Sequence, residues 1–318
     1  MKIVVTRPIV ESSLKALGDH ELNVVDFGTS GPTEDQLIEV ARGADAMITM
    51  LSDPVSADLF ATCRNLKVIA QYAVGYDNID LEAARRSGIV VTNTPDVLTH
   101  ATADFAFALL LAAARRIRLA DRYVREGRFA RWETSLLLGS DLKGKTMGII
   151  GMGRIGMAMA RRAIGFGMRI VYHNSRRANI TDEKVLSARY VTLDTLLRDS
   201  DVVSLHCSLT EETRHLIDRE ALGKMKSTSI LVNTARGAVV DEVALVAALK
   251  NKEIDAAGLD VFEKEPGISP GLLELENVVL APHLGSATIE ARTRMGEMCA
   301  EAILAVLSGA DDIPYRVA

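Results

Sequence analysis

Residues 146–156 have the sequence TMGIIGMGRIG, an apolar run that leads directly into three glycines with the spacing G-x-G-x-x-G. The uninterrupted apolar character of Met147–Ile150 predicts a strand that is buried on both faces of a parallel sheet. An apolar pattern with helical periodicity follows from Arg154. A glycine-rich turn between a buried strand and a helix indicates a dinucleotide-binding unit, which the glycine spacing alone would not.

The three glycines predict how the turn meets a dinucleotide. Gly151 permits the tight turn, Gly153 lets the backbone approach a pyrophosphate, and Gly156 allows the helix to pack closely on the strand. The backbone amides of Arg154 and Ile155 would point at the phosphates from the positive end of the helix. These five positions are therefore predicted to bind the cofactor.

Strands and helices alternate on both sides of this turn. After it, strands are predicted at Ile170–Tyr172, Val202–Leu205, Ile230–Val232, Ala256–Leu259 and Val278–Leu280. Before it, strands are predicted at Ile3–Thr6, Leu22–Val25, Ala46–Thr49, Val68–Ala70 and Ile89–Val91, with helices near Val10–Leu17 and Glu34–Arg42. Such alternation predicts βαβ units, so the chain is predicted to be an α/β protein with two doubly wound parallel sheets.

Two long helical patterns, about Ala101–Ala120 and about Ser286–Leu307, flank the second block of strands. We expect them to carry the chain from one domain to the other. The predicted division is a first domain of residues 1–98 and 286–318 and a dinucleotide-binding domain of residues 99–285.

Composition excludes several classes of partner. The 318 residues carry a net charge of −5 without a run of five like charges, which argues against nucleic acid or an anionic membrane. The three cysteines include no C-x-x-C pair, as is typical of a reducing compartment. The N-terminal residues MKIVVT predict a strand and not a secretion signal, and the apolar stretch Phe105–Ala114 is too short to cross a bilayer. We therefore expect a cytoplasmic protein, and no metal is predicted because no cluster has the spacing of metal ligands.

The end of the strand after the glycine turn bears on which dinucleotide binds. NAD enzymes usually place an acid there, about 20 residues after the turn, to bind a ribose hydroxyl. Residues 172–177 are YHNSRR, so Asn174 takes the place of the acid and is followed by Ser175, Arg176 and Arg177. A carboxylate would repel a 2′-phosphate, whereas an amide, a hydroxyl and a guanidinium can bind it. The segment predicts NADP as cofactor, with NADPH preferred over NADH.

Three further motifs follow predicted strands: NTARG at residues 233–237, GLDVFEKEP at residues 258–266 and APHLG at residues 281–285. The carboxyl ends of the strands in an open α/β sheet converge on the ligand crevice. An arginine, an acid and a histidine delivered there would suit carbonyl reduction, because the arginine can bind a carboxylate and the histidine can exchange a proton.

Through these motifs, together with VGYDNID at residues 74–80 and DVVSLH at residues 201–206, the chain resembles the D-isomer-specific 2-hydroxyacid dehydrogenase family over nearly its whole length. It is most similar to the glyoxylate/hydroxypyruvate reductase branch, chiefly through Asn174, Ser175 and Arg176. The resemblance implies a flavodoxin-like substrate domain and a Rossmann NAD(P)-binding domain. It also implies an enzyme that reduces a small 2-keto acid to the D-2-hydroxy acid with NADPH.

The resemblance assigns roles to individual groups. Arg236 would bind the carboxylate and the C2 oxygen of the substrate, and the amides of Val74 and Gly75 would hold that carboxylate. His283 would be the acid/base that donates a proton to the carbonyl oxygen. Glu265 would pair with His283, and a neighbouring carboxylate favours the imidazolium form that donates.

Cofactor contacts are implied at further positions of the second domain. They are Thr102, His206, Cys207, Ser208, Thr213, Thr234, Ala235, Arg236, Asp260, His283 and Gly285. Asp260 would lie near the amide of the nicotinamide. Ser208 departs from the family pattern, in which proline is common, and we expect this difference to alter the wall beside the adenine and not the chemistry.

The identity of the substrate stays open among glyoxylate, hydroxypyruvate, 2-ketogluconate and hydroxyphenylpyruvate, as does the physiological direction. Leu51 is predicted to contact the substrate, and the other candidates for the pocket that distinguishes these acids are Ser52, Tyr72 and Tyr76. A homodimer is implied, paired through the helix predicted at Ala101–Ala120.

Other activities within the family fit less well. Formate dehydrogenases have Gln where Glu265 stands, phosphite dehydrogenases have Lys where Val74 stands, and phosphoglycerate dehydrogenases usually keep an acid where Asn174 stands. The alternative outside enzymes is a dinucleotide sensor without catalytic activity, and a turnover assay separates it from the reductase.

Overall fold

The computed structural model describes residues 1–28 and 31–318. The chain forms two compact units: unit 1 contains Met1–Leu98 and Ser286–Ala318, and unit 2 contains Thr99–Gly285. Each unit has one parallel sheet with helices, and the elements below are numbered along the whole chain.

The sheet of unit 1 has five parallel strands in the order β2-β1-β3-β4-β5, which is the flavodoxin-like arrangement. The strands are β1 (Lys2–Val5), β2 (Glu21–Val24), β3 (Ala46–Thr49), β4 (Val68–Gln71) and β5 (Val90–Thr92). The helices are α1 (Glu34–Ala41), α2 (Ala57–Thr62), α3 (Leu81–Ser87) and α12 (Ile289–Leu307), with a 3-10 helix at Glu11–Leu17. All residues of β3 and β4 are buried, so the core of the unit lies at the middle of the sheet.

Residues 286–318 complete unit 1. Helix α12 packs on β4, and the hydroxyl of Tyr72, just after that strand, donates to the carbonyl of Arg292 at 2.5 Å. At the sheet edge the amide of Val91 in β5 donates to the carbonyl of Ala318 at 3.1 Å. The cover of β4 and the neighbour of β5 therefore both come from this segment.

The sheet of unit 2 has seven parallel strands in the order β12-β11-β10-β9-β6-β7-β8. They are β6 (Thr146–Ile150), β7 (Arg169–His173), β8 (Ala188–Tyr190), β9 (Val202–Leu205), β10 (Ile230–Asn233), β11 (Ala256–Leu259) and β12 (Val278–Leu280). The helices are α4 (Thr99–Ala114), α5 (Ile117–Arg125), α6 (Arg154–Gly165), α7 (Ile180–Leu186), α8 (Leu193–Asp199), α9 (Arg219–Lys224), α10 (Glu242–Lys250) and α11 (Pro270–Leu273), with a 3-10 helix at Gly237–Val239. The strand order reverses between β6 and β9, and ligands of such sheets bind at the carboxyl ends beside that switch point.

The prediction of an α/β protein with two doubly wound parallel sheets is confirmed. The edge strand β8 was not among the predicted strands, and the helix predicted near Val10–Leu17 is a 3-10 helix at Glu11–Leu17. Among the helices of residues 1–28 and 31–318, none is both long and apolar enough to cross a membrane.

The prediction of one helix over Ala101–Ala120 is wrong. Helix α4 ends at Ala114, Arg116 has a left-handed backbone with φ of 53°, and α5 begins at Ile117. The physical reason lies 26 residues further along the chain, where the amide of Ser140 donates to the carbonyl of Ala114 at 2.9 Å. That carbonyl is satisfied by a returning segment, so the helix does not need a further turn to pair it.

Candidate active site

The glycine turn joins β6 to α6 beneath the end of β9. Gly151 has a φ of +97°, and an added Cβ would lie 2.4 Å from the amide nitrogen of Cys207. Only glycine meets both conditions, because other residues avoid this backbone conformation and carry a Cβ. Gly156 is equally confined, since its Cβ would lie 2.2 Å from the carbonyl oxygen of Gly151. On the side that faces Cys207, the turn is therefore too closely packed for any side chain at Gly151.

The opposite side of the turn fits a dinucleotide. Apart from its own chain neighbours, no described residue has a heavy atom within 4 Å of the position where a Cβ of Gly153 would be, so the backbone there faces open space. Gly153 caps α6, and the amides of Arg154 and Ile155 belong to the first turn, whose N–H groups have no partner within the helix. Thr234 contributes a buried hydroxyl that finds no hydrogen-bond partner among the described residues. An open approach, amides at the first turn of a helix and an unsatisfied hydroxyl suit a phosphate-containing ligand.

Two predicted cofactor residues follow β9 in a poorly solvated place. Burial lowers the pKa of His206 to about 4, so its imidazole is neutral at neutral pH, and its Nε2 lies 2.9 Å from the hydroxyl of Ser204. Burial raises the pKa of the Cys207 thiol to about 11, which makes it a poor nucleophile. Both side chains can form a wall of the cleft without adding charge to it.

Ser208 and Thr213 close the turn that follows. The hydroxyl of Thr213 donates to the carbonyl of Ser208 at 2.7 Å and accepts from the amide of Thr210 at 2.7 Å. The turn therefore has a fixed backbone that does not require the proline common at the position of Ser208.

The loop after β7 carries the residues predicted to select the dinucleotide. Asn174 accepts from the amide of Met152, in the glycine turn, at 2.5 Å through its Oδ1. Ser175 and Arg176 are exposed. Arg177 is engaged differently from its neighbour, because its guanidinium binds Glu183 through Nε and Nη2 at 2.7 and 2.8 Å. Two arginines that are adjacent in the sequence therefore differ in their contacts: Arg177 binds a carboxylate, and Arg176 is exposed.

Asn233, the last residue of β10, shapes the turn that presents Arg236. Its Oδ1 accepts from the amide of Ala235 at 3.0 Å, and its Nδ2 donates to the carbonyl of Arg236 at 2.9 Å. Arg236 itself is half-buried and donates from Nη1 to the carbonyl of Ala235 at 2.8 Å. A side-chain amide therefore fixes the backbone on both sides of the predicted substrate-binding arginine.

Gly237 sets the distance between this turn and the loop after β11. A Cβ on Gly237 would lie 1.9 Å from the carbonyl carbon of Phe262 and 2.3 Å from the amide nitrogen of Glu263. The two loops, which carry Arg236 and Glu265, can approach this closely only because residue 237 has no side chain.

Glu265 and His283 form a hydrogen-bonded pair. Nδ1 of His283 lies 2.8 Å from Oε2 of Glu265, and the other carboxylate oxygen accepts from the amide of Phe262 at 2.9 Å. The two side chains are about one-third exposed, 33% for His283 and 36% for Glu265, so both remain accessible.

Electrostatics link Arg236 to this pair. Burial raises the pKa of Glu265, but the hydrogen bond and charge of His283 and the charge of Arg236 outweigh it, so the pKa lies below its ordinary value. Glu265 is therefore ionised at neutral pH and available to pair with a protonated imidazole.

Asp260 holds the backbone of the histidine turn. It is 1% exposed, and its two carboxylate oxygens accept from the amides of Leu284 and Gly285 at 2.7 Å each, while its carbonyl accepts from the amide of His283 at 2.8 Å. Burial raises its pKa, although the two amides oppose the shift. His283 has a left-handed backbone with φ of 58°, a conformation that such a set of bonds can hold in place.

Leu51, Val74 and Gly75 lie in unit 1, on the loops that follow β3 and β4. The side chain of Asn78 connects these two loops, because its Nδ2 donates to the carbonyl of Asp53 at 2.8 Å. The predicted substrate-binding groups of this unit therefore stand on loops that are tied together.

Two further amide side chains hold the second of these loops. Nδ2 of Asn93 donates to the carbonyl of Val74 at 2.8 Å, and Nε2 of Gln71 donates to Oδ1 of Asn78 at 2.8 Å. None of these amides was among the predicted site residues. The available signal is Gln71, a fully buried polar residue that ends the otherwise apolar strand VIAQ, since buried polar groups are bonded.

Within unit 2 the structure brings most of the predicted residues to one end of the sheet. Thr102 joins them, because a Cβ on Gly285 would lie 3.2 Å from the side chains of both Thr102 and Asp260. In the described part of the chain no group of three or more His, Cys, Asp or Glu side chains could hold a metal ion, and the absence of a metal stays a prediction.

The chain is similar to proteins of known family over most of its length. The model of the D-isomer-specific 2-hydroxyacid dehydrogenase, NAD binding domain, matches residues 107–285. The chain is 54% identical to the glyoxylate reductase of Korarchaeum cryptofilum over 313 residues, 97% of this chain and 93% of that protein. It is 50% identical to the glyoxylate reductase of Thermococcus litoralis over 312 residues, 97% of this chain and 94% of that protein.

The chain is also similar in structure to a solved glyoxylate/hydroxypyruvate reductase. The NADPH-dependent glyoxylate/hydroxypyruvate reductase of Sinorhizobium meliloti, in complex with NADP and malonate, superposes with a TM-score of 0.87 at 34% sequence identity. The match covers 100% of this chain and 96% of that chain.

Proposed function

Because this chain belongs to the D-isomer-specific 2-hydroxyacid dehydrogenase family, we propose that it reduces small 2-keto acids of the glyoxylate and hydroxypyruvate type to D-2-hydroxy acids and prefers NADPH as reductant. When bound, the nicotinamide supplies a hydride to C2 of the keto acid. The carbonyl oxygen takes up one proton, so that NADPH, the keto acid and a proton give NADP⁺ and the hydroxy acid. The observation that carries the proposal is the His283–Glu265 pair, with Arg236 close enough to lower the pKa of Glu265.

His283 provides that proton. Since its Nδ1 is bonded to Glu265, Nε2 is the ring nitrogen left to donate to the C2 oxygen. Glu265 fixes the ring and stabilises the imidazolium before transfer. The protonated ring therefore stabilises the charge that develops on the oxygen as the hydride arrives.

Arg236 orients the keto acid. Its planar guanidinium can bind the carboxylate with two parallel hydrogen bonds and reach the adjacent C2 oxygen, which a point charge cannot do equally well. We assign the amides of Val74 and Gly75 to the same carboxylate and Leu51 to the contact that depends on the substrate side chain. The loop ties through Asn78 and Asn93 support these assignments, because they hold the backbone that would bind.

The loop after β7 supports the preference for NADPH. Ser175 and Arg176 are exposed and can bind a 2′-phosphate, and Asn174 presents a neutral amide where an acid would repel it. The hydrogen bond from the amide of Met152 to Asn174 holds this residue against the glycine turn.

Replacing Asn174 by Asp tests the activity and the cofactor preference together. An Asp carboxylate can still accept from the amide of Met152, so the variant adds a negative charge with little change of shape. We expect wild type to oxidise NADPH faster than NADH with glyoxylate and with hydroxypyruvate. In Asn174→Asp we expect kcat/KM for NADPH to fall about 10- to 100-fold, the range of one or two charged contacts, and that for NADH to rise.

The loss of absorbance of the reduced nicotinamide measures the rate for each enzyme with each combination of cofactor and keto acid. Wild type that uses NADH better than NADPH would contradict the cofactor preference and leave the reductase intact. If neither cofactor is oxidised with these two acids, nor with 2-ketogluconate or hydroxyphenylpyruvate, the chain is a dinucleotide sensor and the enzymatic proposal is wrong.

A homodimer completes the proposal, and α5 with the segment after it supports this. No residue of α5 is buried, and large apolar side chains are exposed at Phe129, Trp132 and Leu138, by 59%, 77% and 64%. Large apolar side chains exposed so close together in the sequence are more common at an interface than on a free surface. Sedimentation equilibrium should give twice the 34.4 kDa mass of the chain, and a monomer mass at micromolar concentration would contradict the proposal.

The three cysteines support a reducing compartment such as the cytoplasm as the place of action. Cys63, Cys207 and Cys299 are all free thiols, and Cys63 and Cys299 are buried. Detection of the activity in the cytosolic fraction of cells that produce the protein would test this location.

A further inference from the structure

Glu183 lies in the first turn of α7 and carries an unusual set of partners for a residue outside the predicted site. Its side chain is 6% exposed. Nε and Nη2 of Arg177 donate to its two oxygens at 2.7 and 2.8 Å, and the hydroxyl of Tyr172 donates to Oε1 at 2.5 Å. A carboxylate that is buried and bonded on both oxygens is held in one place.

The contacts of Glu183 extend to the loop that carries Ser175 and Arg176. Tyr172 is fully buried at the end of β7, and its hydroxyl accepts from the amide of Ala178 at 3.0 Å. The side chain of Arg177 and the backbone of Ala178 are therefore both bound, directly or through Tyr172, to one carboxylate.

The other end of the loop is also fixed. The hydroxyl of Tyr190, in the edge strand β8, donates to the carbonyl of Asn174 at 3.1 Å. Ser175 and Arg176 lie between these two anchors with exposed side chains. The loop is thus a short bridge that presents a hydroxyl and a guanidinium outward.

The charges of the loop are divided unequally. The hydrogen bonds from Arg177 and Tyr172 lower the pKa of Glu183 to about 2, so it is ionised at neutral pH and neutralises Arg177. Arg176 has no hydrogen-bond or ion-pair partner within residues 1–28 and 31–318. Arg176 therefore has the guanidinium that is available to bind an incoming anion, whereas Arg177 attaches the loop to Glu183.

We propose that Glu183 is a positioning residue for cofactor selection, which binds Arg177 and Tyr172 so that Ser175 and Arg176 are held ready for the 2′-phosphate of NADPH. The inference rests on the proposed NADPH preference and adds its structural basis. It distinguishes Arg177, as an anchor, from a direct phosphate ligand. If Arg177 instead bound phosphate directly, removal of its carboxylate partner would free it and tighten that binding.

Glu183→Gln tests this difference, because the amide keeps the size of the side chain and removes the charge. Adenosine 2′,5′-bisphosphate and adenosine 5′-monophosphate differ only in the 2′-phosphate, and calorimetry measures both without turnover. We expect the Kd for the bisphosphate to rise about 5- to 30-fold and that for the monophosphate to change less than about twofold, the size of coupling between groups in one network. kcat/KM for NADPH should fall by a similar factor, with kcat at saturation and kcat/KM for NADH retained.

Asp194→Asn is the matched control. Asp194 is a half-exposed carboxylate of unit 2 whose ion-pair partners, Lys224 at 2.9 Å and Arg198, both lie outside the loop. Loss of these ion pairs should leave both dissociation constants unchanged. Tyr172→Phe is the second variant, because it removes only the hydroxyl that links Ala178 to Glu183. It should weaken bisphosphate binding in the same direction as Glu183→Gln.

Each outcome is informative. Unchanged or tighter bisphosphate binding in Glu183→Gln, with wild type still selecting the bisphosphate, would overturn the inference and leave the NADPH preference standing. Equal weakening of the two nucleotides would show a general structural role and also overturn it. Wild type that binds the two nucleotides equally would refute the preference itself, and with it the positioning role.

Discussion

Replacing His283 by Asn is expected to lower kcat for the reduction of glyoxylate by NADPH about 10²- to 10⁴-fold, the contribution of one general acid, with little effect on NADPH binding. Asn is chosen because its Nδ2 can keep the bond that Nδ1 of His283 makes to Glu265, while nothing replaces the second ring nitrogen as proton donor. Asn also tolerates the left-handed backbone of residue 283 better than Ala, so the turn is preserved. Steady-state rates and fluorescence titration with NADPH measure the two effects.

The chain contains its own control for this substitution. Nε2 of His215 lies 2.9 Å from Glu263, so His215 is a second histidine bonded to a carboxylate in the same unit. His215→Asn should reduce kcat less than about fivefold, because this pair has no assigned part in the reaction. A His283→Asn enzyme with wild-type turnover would refute the assignment of the proton donor.

Replacing Arg236 by Lys is expected to lower kcat/KM for glyoxylate about 10²- to 10³-fold, as the loss of a preorganised donor at a reacting oxygen does. Lys keeps the positive charge but cannot form two parallel bonds to a carboxylate, and it would also lose the bond from Nη1 to the carbonyl of Ala235. We expect KM to rise and kcat to fall together, because the guanidinium binds the carboxylate in the ground state and the oxygen in the transition state.

The control for this variant is Arg198→Lys, at an exposed position that pairs with Asp194. It should behave as wild type in the same assay. A decrease of less than about tenfold in Arg236→Lys would show that charge alone suffices, and the proposed two-point binding of the substrate would then be wrong.

The parallel strands could be predicted because burial on both faces leaves an uninterrupted apolar run, such as Met147–Ile150. β8 was not predicted because it lacks this pattern. It is an edge strand, Ala188-Arg189-Tyr190, and two of its three residues are exposed. The break at Arg116 has no local signal, because arginine is a good helix former. Its cause is a bond from Ser140, which sequence periodicity cannot reveal.

The candidate site divides in a similar way. Groups that would touch the reacting molecule, such as Arg236 and His283, stand in short motifs directly after strands and can be predicted from the chain alone. Groups that act through another residue cannot. Glu183 and Asn78 each stabilise a loop by a hydrogen bond to a residue that sequence motifs do not connect with them, Arg177 and Asp53. Only the distances in the folded chain identify these bonds.

Residues 286–318 also determine the order in which the two units can complete their folding during synthesis of the chain. When Gly285 has left the ribosome, every strand of unit 2 is present and its sheet can form without further chain. Unit 1 was started earlier but still lacks α12, which covers β4, and the residues that pair with β5. The unit whose synthesis starts first is therefore the unit that is completed second. Until then β4 lacks its covering helix and β5 lacks its edge neighbour, and exposed sheet surface of this kind favours misassociation.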